Sequence, residues 1–260
     1  MPPVSSPTLT PDGPRRSLFI TGGAGGLGAG LVRAAARAGH NVAFTYRTSA
    51  SAADALAADL AAVPGAGRCL PLRMDQRDTD SVEQAISAAL TELDIDAVIL
   101  NAGAAKTGLL AQMEDADWLE VVDTNLTGAF RVCRRFLWHF LGRRSGQFIH
   151  IGSVAAGGMA GHAAYAASKA GVEGLSASLA REYGPRGITS NVVSLGLFDG
   201  GMGSEQASDS LRQFWLTHCP QRRTGHGDDI ASTVLFLCSG AATFVNGQVI
   251  RLTGGLDWAP

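Results

Sequence analysis

Short apolar runs recur along the chain near residues 17–21, 41–46, 69–74, 96–100, 146–152, 188–194 and 248–252. Some, such as Ala97-Val98-Ile99-Leu100, are apolar at every position instead of at alternate ones. Such a strand has both faces covered, as in a parallel sheet clad by helices. Between the runs lie longer stretches, 27–38, 51–62, 79–92, 115–141, 163–183 and 227–239, that read as helices. Regular alternation of strand and helix predicts an α/β protein: one domain, a doubly wound parallel sheet, helices on both faces. No repeat and no second domain is evident.

One segment breaks the alternation. Asp199 to Thr224 carries Gly200, Gly201 and Gly203, then Leu211-Arg212-Gln213-Phe214-Trp215-Leu216. This predicts a loop with a short amphipathic helix, because Phe214, Trp215 and Leu216 are costly to leave exposed. Residues 1–16 hold Pro2, Pro3, Pro7, Pro11 and Pro14 and no apolar run. They are expected to be a disordered tail, not a signal peptide, and no stretch reaches eighteen apolar residues. The expected compartment is the cytoplasm.

Composition narrows the choice. A net charge of −2 gives no general attraction to nucleic acid or an anionic membrane. Cys69, Cys133, Cys219 and Cys238 are scattered without a C-x-x-C, and the six histidines lack metal-ligand spacing. Reduced thiols and no metal site are the expectation.

The candidate chemistry centres on Tyr165 and Lys169, four apart and so on one helix face. An ammonium beside a phenol favours the phenolate, which would tune Tyr165 as a general acid and base. Ser153 precedes Tyr165 by twelve residues, and His162 lies in the intervening loop as a candidate substrate contact. Upstream, Ser17-Leu18-Phe19-Ile20-Thr21 runs into Gly22-Gly23-Ala24-Gly25-Gly26-Leu27-Gly28 and then a helix. A glycine turn between strand and helix lets backbone N–H groups approach a pyrophosphate.

With these motifs the chain resembles the short-chain dehydrogenase/reductases over about residues 17–255. Thr21, Gly22, Gly26 and Gly28 match the family's cofactor turn, and Asn101-Ala102-Gly103 its Asn-Ala-Gly motif. Asn125, Ser153, Tyr165 and Lys169 match its catalytic tetrad. The resemblance implies a seven-stranded Rossmann fold in order 3-2-1-4-5-6-7, a nicotinamide cofactor and a homotetramer or homodimer. It implies cofactor contacts from the glycine turn with Leu27, from Asn101, Ala102 and Gly103, from Tyr165 and Lys169, and from Gly196 and Leu197. Asp75, ending the third strand, is implied to accept from the adenine amino group, and Asn125 to anchor a water that joins Lys169 to solvent.

Cofactor choice rests on the end of the second strand. Tyr46 stands where an acidic residue would receive the ribose 2′-hydroxyl of NAD, and Arg47 and Thr48 follow as phosphate donors. NADP(H) is therefore expected over NAD(H), although Ala24-Gly25 lacks the basic residue many NADP-dependent relatives carry. Leu195-Gly196 replaces the usual Pro-Gly, and Gly200 stands where relatives have a carboxamide-binding Thr.

Within the family the pattern is most similar to 3-oxoacyl-carrier-protein reductases. Arg144 and Arg186 fall where that group's carrier-docking arginines fall, which implies a basic patch at the cleft mouth for an acidic acyl carrier protein. The segment 199–224 is then the implied substrate lid, with Phe214 and Trp215 as substrate contacts. A free ketone, sugar or secondary alcohol is the alternative substrate. A non-catalytic nucleotide-binding regulator is a further reading.

Overall fold

The computed structural model describes residues 15–201 and 208–258. Seven parallel strands form one sheet: β1 (Ser17–Ile20), β2 (Asn41–Tyr46), β3 (Cys69–Arg73), β4 (Ala97–Leu100), β5 (Gly146–Ser153), β6 (Ile188–Leu195) and β7 (Val249–Leu252). Their order is β3-β2-β1-β4-β5-β6-β7, as the resemblance implies. β1 and β4 are buried at every position, whereas the edge strands β3 and β7 are only partly covered.

The helices are α1 (Gly26–Arg37), α2 (Ala50–Ala61), α3 (Thr79–Glu92), α4 (Asp115–Val122), α5 (Gly128–Arg143), α6 (Ala163–Tyr183), α7 (Asp209–His218) and α8 (Gly227–Leu237). One face of the sheet packs on α1, α2 and α8, through residues such as Val32, Leu56 and Ile230. The other packs on α3, α5 and α6, where Phe19 and Phe136 rings meet at 4.9 Å and Phe140 and Phe148 at 5.1 Å. Val132, Phe136 and Phe140 of α5 belong to this core, but Phe130 and Trp138 of the same helix are exposed at 43% and 75%.

Two boundaries differ from the sequence expectation. The single helix expected over 115–141 is two, joined by a π-helical turn at Asp123–Thr127 that carries Asn125. No Pro or Gly lies inside that turn; tertiary hydrogen bonds open it, which local periodicity cannot register. The tail expected over 1–16 ends earlier. The Arg16 guanidinium donates to Gln147 Oε1 at 3.1 Å, and its backbone N–H donates to His40 Nδ1 at 3.2 Å. The rest of that expectation, 1–14, lies outside the described residues, as does 202–207 of the expected lid.

The topology sorts residues by sheet edge. Thr21, Arg47, Asp75, Asn101, Ser153 and Gly196 all follow or end strands, so they meet at the carboxyl edge, where doubly wound sheets bind ligands. Arg144 and Arg186 precede β5 and β6, whose register pairs Gly146 with Ile188 and Ser153 with Leu195. They therefore lie at the opposite edge, about 23 Å along β5 from Ser153.

Candidate active site

The glycine turn is built by backbone demands. Gly22 and Gly26 take φ of +65° and +52°, the left-handed region that disfavours side chains. A Cβ on Gly28 would lie 2.2 Å from the Gly22 carbonyl oxygen. Asn101 Nδ2 donates to the carbonyls of Thr21 (3.0 Å) and Gly22 (3.2 Å), which fastens the end of β4 to the turn. Thr21 Oγ1 accepts from the N–H groups of Asn101 (3.0 Å) and Ala102 (2.9 Å). Thr21 is fully buried and does not reach the cleft, so it supports the turn and makes no cofactor contact of its own.

The turn opens on a cleft of about 500 Å³ that runs along the carboxyl edge of the sheet. Gly25 caps α1 without a side chain, and a Cβ there would meet nothing within 4 Å. The free N–H groups and positive end of α1 thus face open space, which fits the pyrophosphate of a dinucleotide. Leu27 and Gly28 line the same wall, and Ala102 and Gly103 face them.

At the far end stand Tyr46, Arg47, Thr48, Asp75 and Gln76. Arg77 binds the Asp75 carboxylate with Nε at 3.0 Å from Oδ1 and a terminal nitrogen at 2.6 Å from Oδ2. That hydrogen bonding, joined by the charge of Arg47, holds the Asp75 carboxyl below its ordinary pKa. The carboxylate implied for adenine alone is therefore already shared with Arg77.

The tetrad converges in the middle of the cleft. Ser153 ends β5, and Tyr165 and Lys169 stand one turn apart on α6. The Ser153 hydroxyl stands near enough to the Tyr165 phenol to draw its pKa down. Lys169 Nζ donates to the Ile151 carbonyl at 2.6 Å and lies 5.6 Å from the Tyr165 ring centroid. The expected depression of the Tyr165 pKa is not met in the protein by itself. Burial raises it, the Ser153 hydroxyl draws it partly back, and the ammonium spends its strongest contact on Ile151. Burial instead lowers the Lys169 pKa from 10.5 to about 8.

Asn125 is 3% exposed and its amide is committed. Oδ1 accepts from Ala104 N–H at 2.7 Å, and Nδ2 donates to Ala104 O and Ser168 Oγ, both at 2.9 Å. Ser168 in turn donates to the Tyr165 carbonyl at 2.7 Å, tying the π-turn to the helix of the catalytic pair.

The cleft's other wall is apolar. Met159, Leu197, Leu211 and Trp215 line it, with His162 at the rim. Trp215 is 3% exposed and packs against the chain at Gly196, where a Cβ would come 2.3 Å from Cζ2. Phe214 turns away to stack on His218 and Trp258 and does not line the cleft, contrary to expectation. Gly200 has φ of +72°, so a Thr there would be strained, and its carbonyl leans on the glycine turn beside Gly26. Arg144 and Arg186 are absent from the cleft, and the basic patch expected at its mouth is not formed by one chain. Sequence reading missed Gln76, Ser168 and Arg77, none of which stands in a motif or apolar pattern that marks it. Among the described residues no cluster of His, Cys, Asp or Glu could hold a metal ion.

A family model described as enoyl-(acyl carrier protein) reductase matches residues 22–257. A 3-oxoacyl-[acyl-carrier-protein] reductase of Staphylococcus aureus is 36% identical over 243 residues, 93% of this chain and 98% of the relative. The chain is a short-chain dehydrogenase/reductase. As a member of that family it is an NAD(P)-dependent oxidoreductase acting on ketone or hydroxyl groups. A 3-oxoacyl-[acyl-carrier protein] reductase from Brucella melitensis superposes with a TM-score of 0.89 at 28% identity, covering 96% of this chain and 94% of its own. A second Brucella melitensis reductase structure, with bound NAD, gives 0.87 at 28% identity with the same coverage. Among the described residues no helix is long and apolar enough to cross a membrane.

Proposed function

We propose that this dehydrogenase/reductase reduces the ketone of a 3-oxoacyl or polyketide-type chain borne on an acyl carrier protein, with NADPH as donor. The observation that carries the reading is the Ser153–Tyr165 hydroxyl pair set opposite an apolar wall, where a carbonyl oxygen and an acyl chain find their matching partners. The relatives named for this substrate, alike in sequence and in structure, support it.

The nicotinamide cofactor supplies a hydride to the carbonyl carbon. The residues of the chain handle the oxygen and its proton. Tyr165 donates its phenolic proton, and Ser153 donates a hydrogen bond as negative charge develops there. Burial suits this step, since a raised pKa keeps the phenol protonated at neutral pH. The phenolate left behind faces the Lys169 ammonium. Because the Asn125 amide is committed, its main-chain carbonyl is the group left to anchor a water for reprotonation. Gly196 and Leu197 offer backbone groups to the carboxamide, and His162 and Trp215 bound the substrate end of the cleft.

Assay with a 3-oxoacyl thioester and NADPH tests the reading. Turnover is expected, with consumption of one NADPH per ketone. Turnover of free ketones or sugars only, with none of any 3-oxoacyl thioester, would replace it with the free-substrate alternative. A protein that binds cofactor and reduces nothing would be the regulator.

The NADPH preference rests on Tyr46 and Arg47 at the adenosine end. One charge-assisted phosphate contact contributes about 1.5–3 kcal/mol, roughly ten- to a hundredfold in affinity. Arg47→Ala is expected to weaken NADPH binding by that factor and NADH binding little. Equal loss for both in titration calorimetry would refute the assignment.

A cytoplasmic setting goes with four free cysteines. Homotetramer or homodimer formation goes with exposed Phe130 and Trp138 on α5 and with the open edge at Val249. It also bears on the carrier. A partner docked at Arg144 and Arg186 stands at the wrong edge for this chain's cleft, so it serves the cleft of a neighbouring copy. Light scattering that returns a single-chain mass of 26.9 kDa at micromolar concentration would rule this out.

A further inference from the structure

Gln76 is a polar side chain, 6% exposed, in the loop three residues past the end of β3. Its amide Nε2 donates to the Thr124 carbonyl at 2.6 Å, and its second, longer contact is Ala102 O at 3.4 Å. Thr124 is in the π-turn, directly before Asn125. A π-turn takes carbonyls out of the regular helical ladder, and a buried carbonyl left alone costs about 1–3 kcal/mol. The Gln76 amide satisfies that need from a different element.

The surroundings are built to admit it. A Cβ on Gly128 would come 2.7 Å from Gln76 Cγ, so the first residue of α5 is trimmed to let the side chain through. Arg131 donates to the Gln76 main-chain carbonyl at 3.3 Å and pairs with Asp123 of the π-turn at 2.8 Å. The loop after β3 is thereby tied twice to the π-turn. Asp75, the preceding residue, and Gln76 itself both line the adenosine end of the cleft.

We propose that Gln76 is a positioning residue for the reaction: its amide, reaching from the adenosine end of the cleft to Thr124, fixes the π-turn that carries Asn125. This rests on the role given to Asn125 above. The geometry leaves Asn125 held from two sides, by Ala104 and Ser168 through its own amide and by Gln76 through its neighbour's carbonyl. Loss of the Gln76 donor leaves a buried carbonyl that must find another partner, and the turn shifts with it.

The test compares Gln76→Met, which keeps length but has no donor, with Asn125→Ala and the double variant. Turnover, cofactor affinity, melting temperature and the pH dependence of kcat are measured for each. Gln76→Met is expected to lower kcat about tenfold, change cofactor Kd less than about twofold, and move the pH profile in the same direction as Asn125→Ala. In the Asn125→Ala background it is expected to cost no further turnover. Gln76→Glu, whose carboxyl regains a donor when protonated, is expected to recover activity as pH falls.

A Gln76→Met enzyme with wild-type kcat and pH profile, or with losses that add fully to those of Asn125→Ala, would overturn the proposal. So would a change confined to melting temperature. If Asn125→Ala itself leaves kcat and its pH profile unchanged, the role of Asn125 fails instead, and the Gln76 proposal falls with it.

Discussion

Tyr165→Phe is expected to cut turnover at least about a hundredfold while leaving fold and cofactor binding intact. The phenol stands beside Ser153 in the cleft, and burial keeps its proton on the oxygen until a carbonyl accepts it. Phe retains the ring against which Lys169 sits, so packing is conserved. Stopped turnover with near-normal cofactor titration is the expected pair of results. A variant that turns over within threefold of wild type would show that another group supplies the proton.

Lys169→Met is expected to separate activity from stability. Activity falls at least about a hundredfold, since the phenolate loses its cation. Stability moves the other way. Holding the Lys169 ammonium in the interior drops its pKa from 10.5 to about 8, equivalent to about 3 kcal/mol against the charged form. Met avoids that cost but strands the Ile151 carbonyl, which returns about 1–3 kcal/mol. A net gain of about 1 kcal/mol, or roughly 2–4 °C in melting temperature, is expected. The sign with pH follows from a folded pKa below the unfolded one. The unfolded chain binds the extra proton between about pH 8 and 10.5, so the cost is full below pH 8 and relieved as pH rises. The variant's advantage should shrink across that window. An advantage that grows with pH would contradict the assignment.

Much of this molecule is legible from residue order. Strands apolar on both faces, glycines at fixed spacing, and Tyr165 with Lys169 each reflect one local rule. What escaped has tertiary causes. The π-turn at Asn125 exists because Ala104, Ser168 and Gln76 hold it, and none of them is near in sequence. Arg77 is the exception: it captures Asp75 from two residues away, in a local turn that the apolar pattern does not mark. The Tyr165 pKa depends on burial, which spacing cannot report. Arg144 illustrates the limit best. Nine residues before Ser153 sounds close, but an extended strand of eight residues carries it to the other end of the sheet.

The contact between Gly196 and Trp215 also constrains how the sequence can drift. With an indole ring on the α-carbon, position 196 tolerates no methyl group, and position 215 cannot shrink without leaving a hole beside the cleft. Neither residue can change first without penalty. A lineage that widens this end of the cleft for a bulkier acyl chain must therefore begin at Trp215, accept a less stable ancestor, and only afterwards be free to vary Gly196.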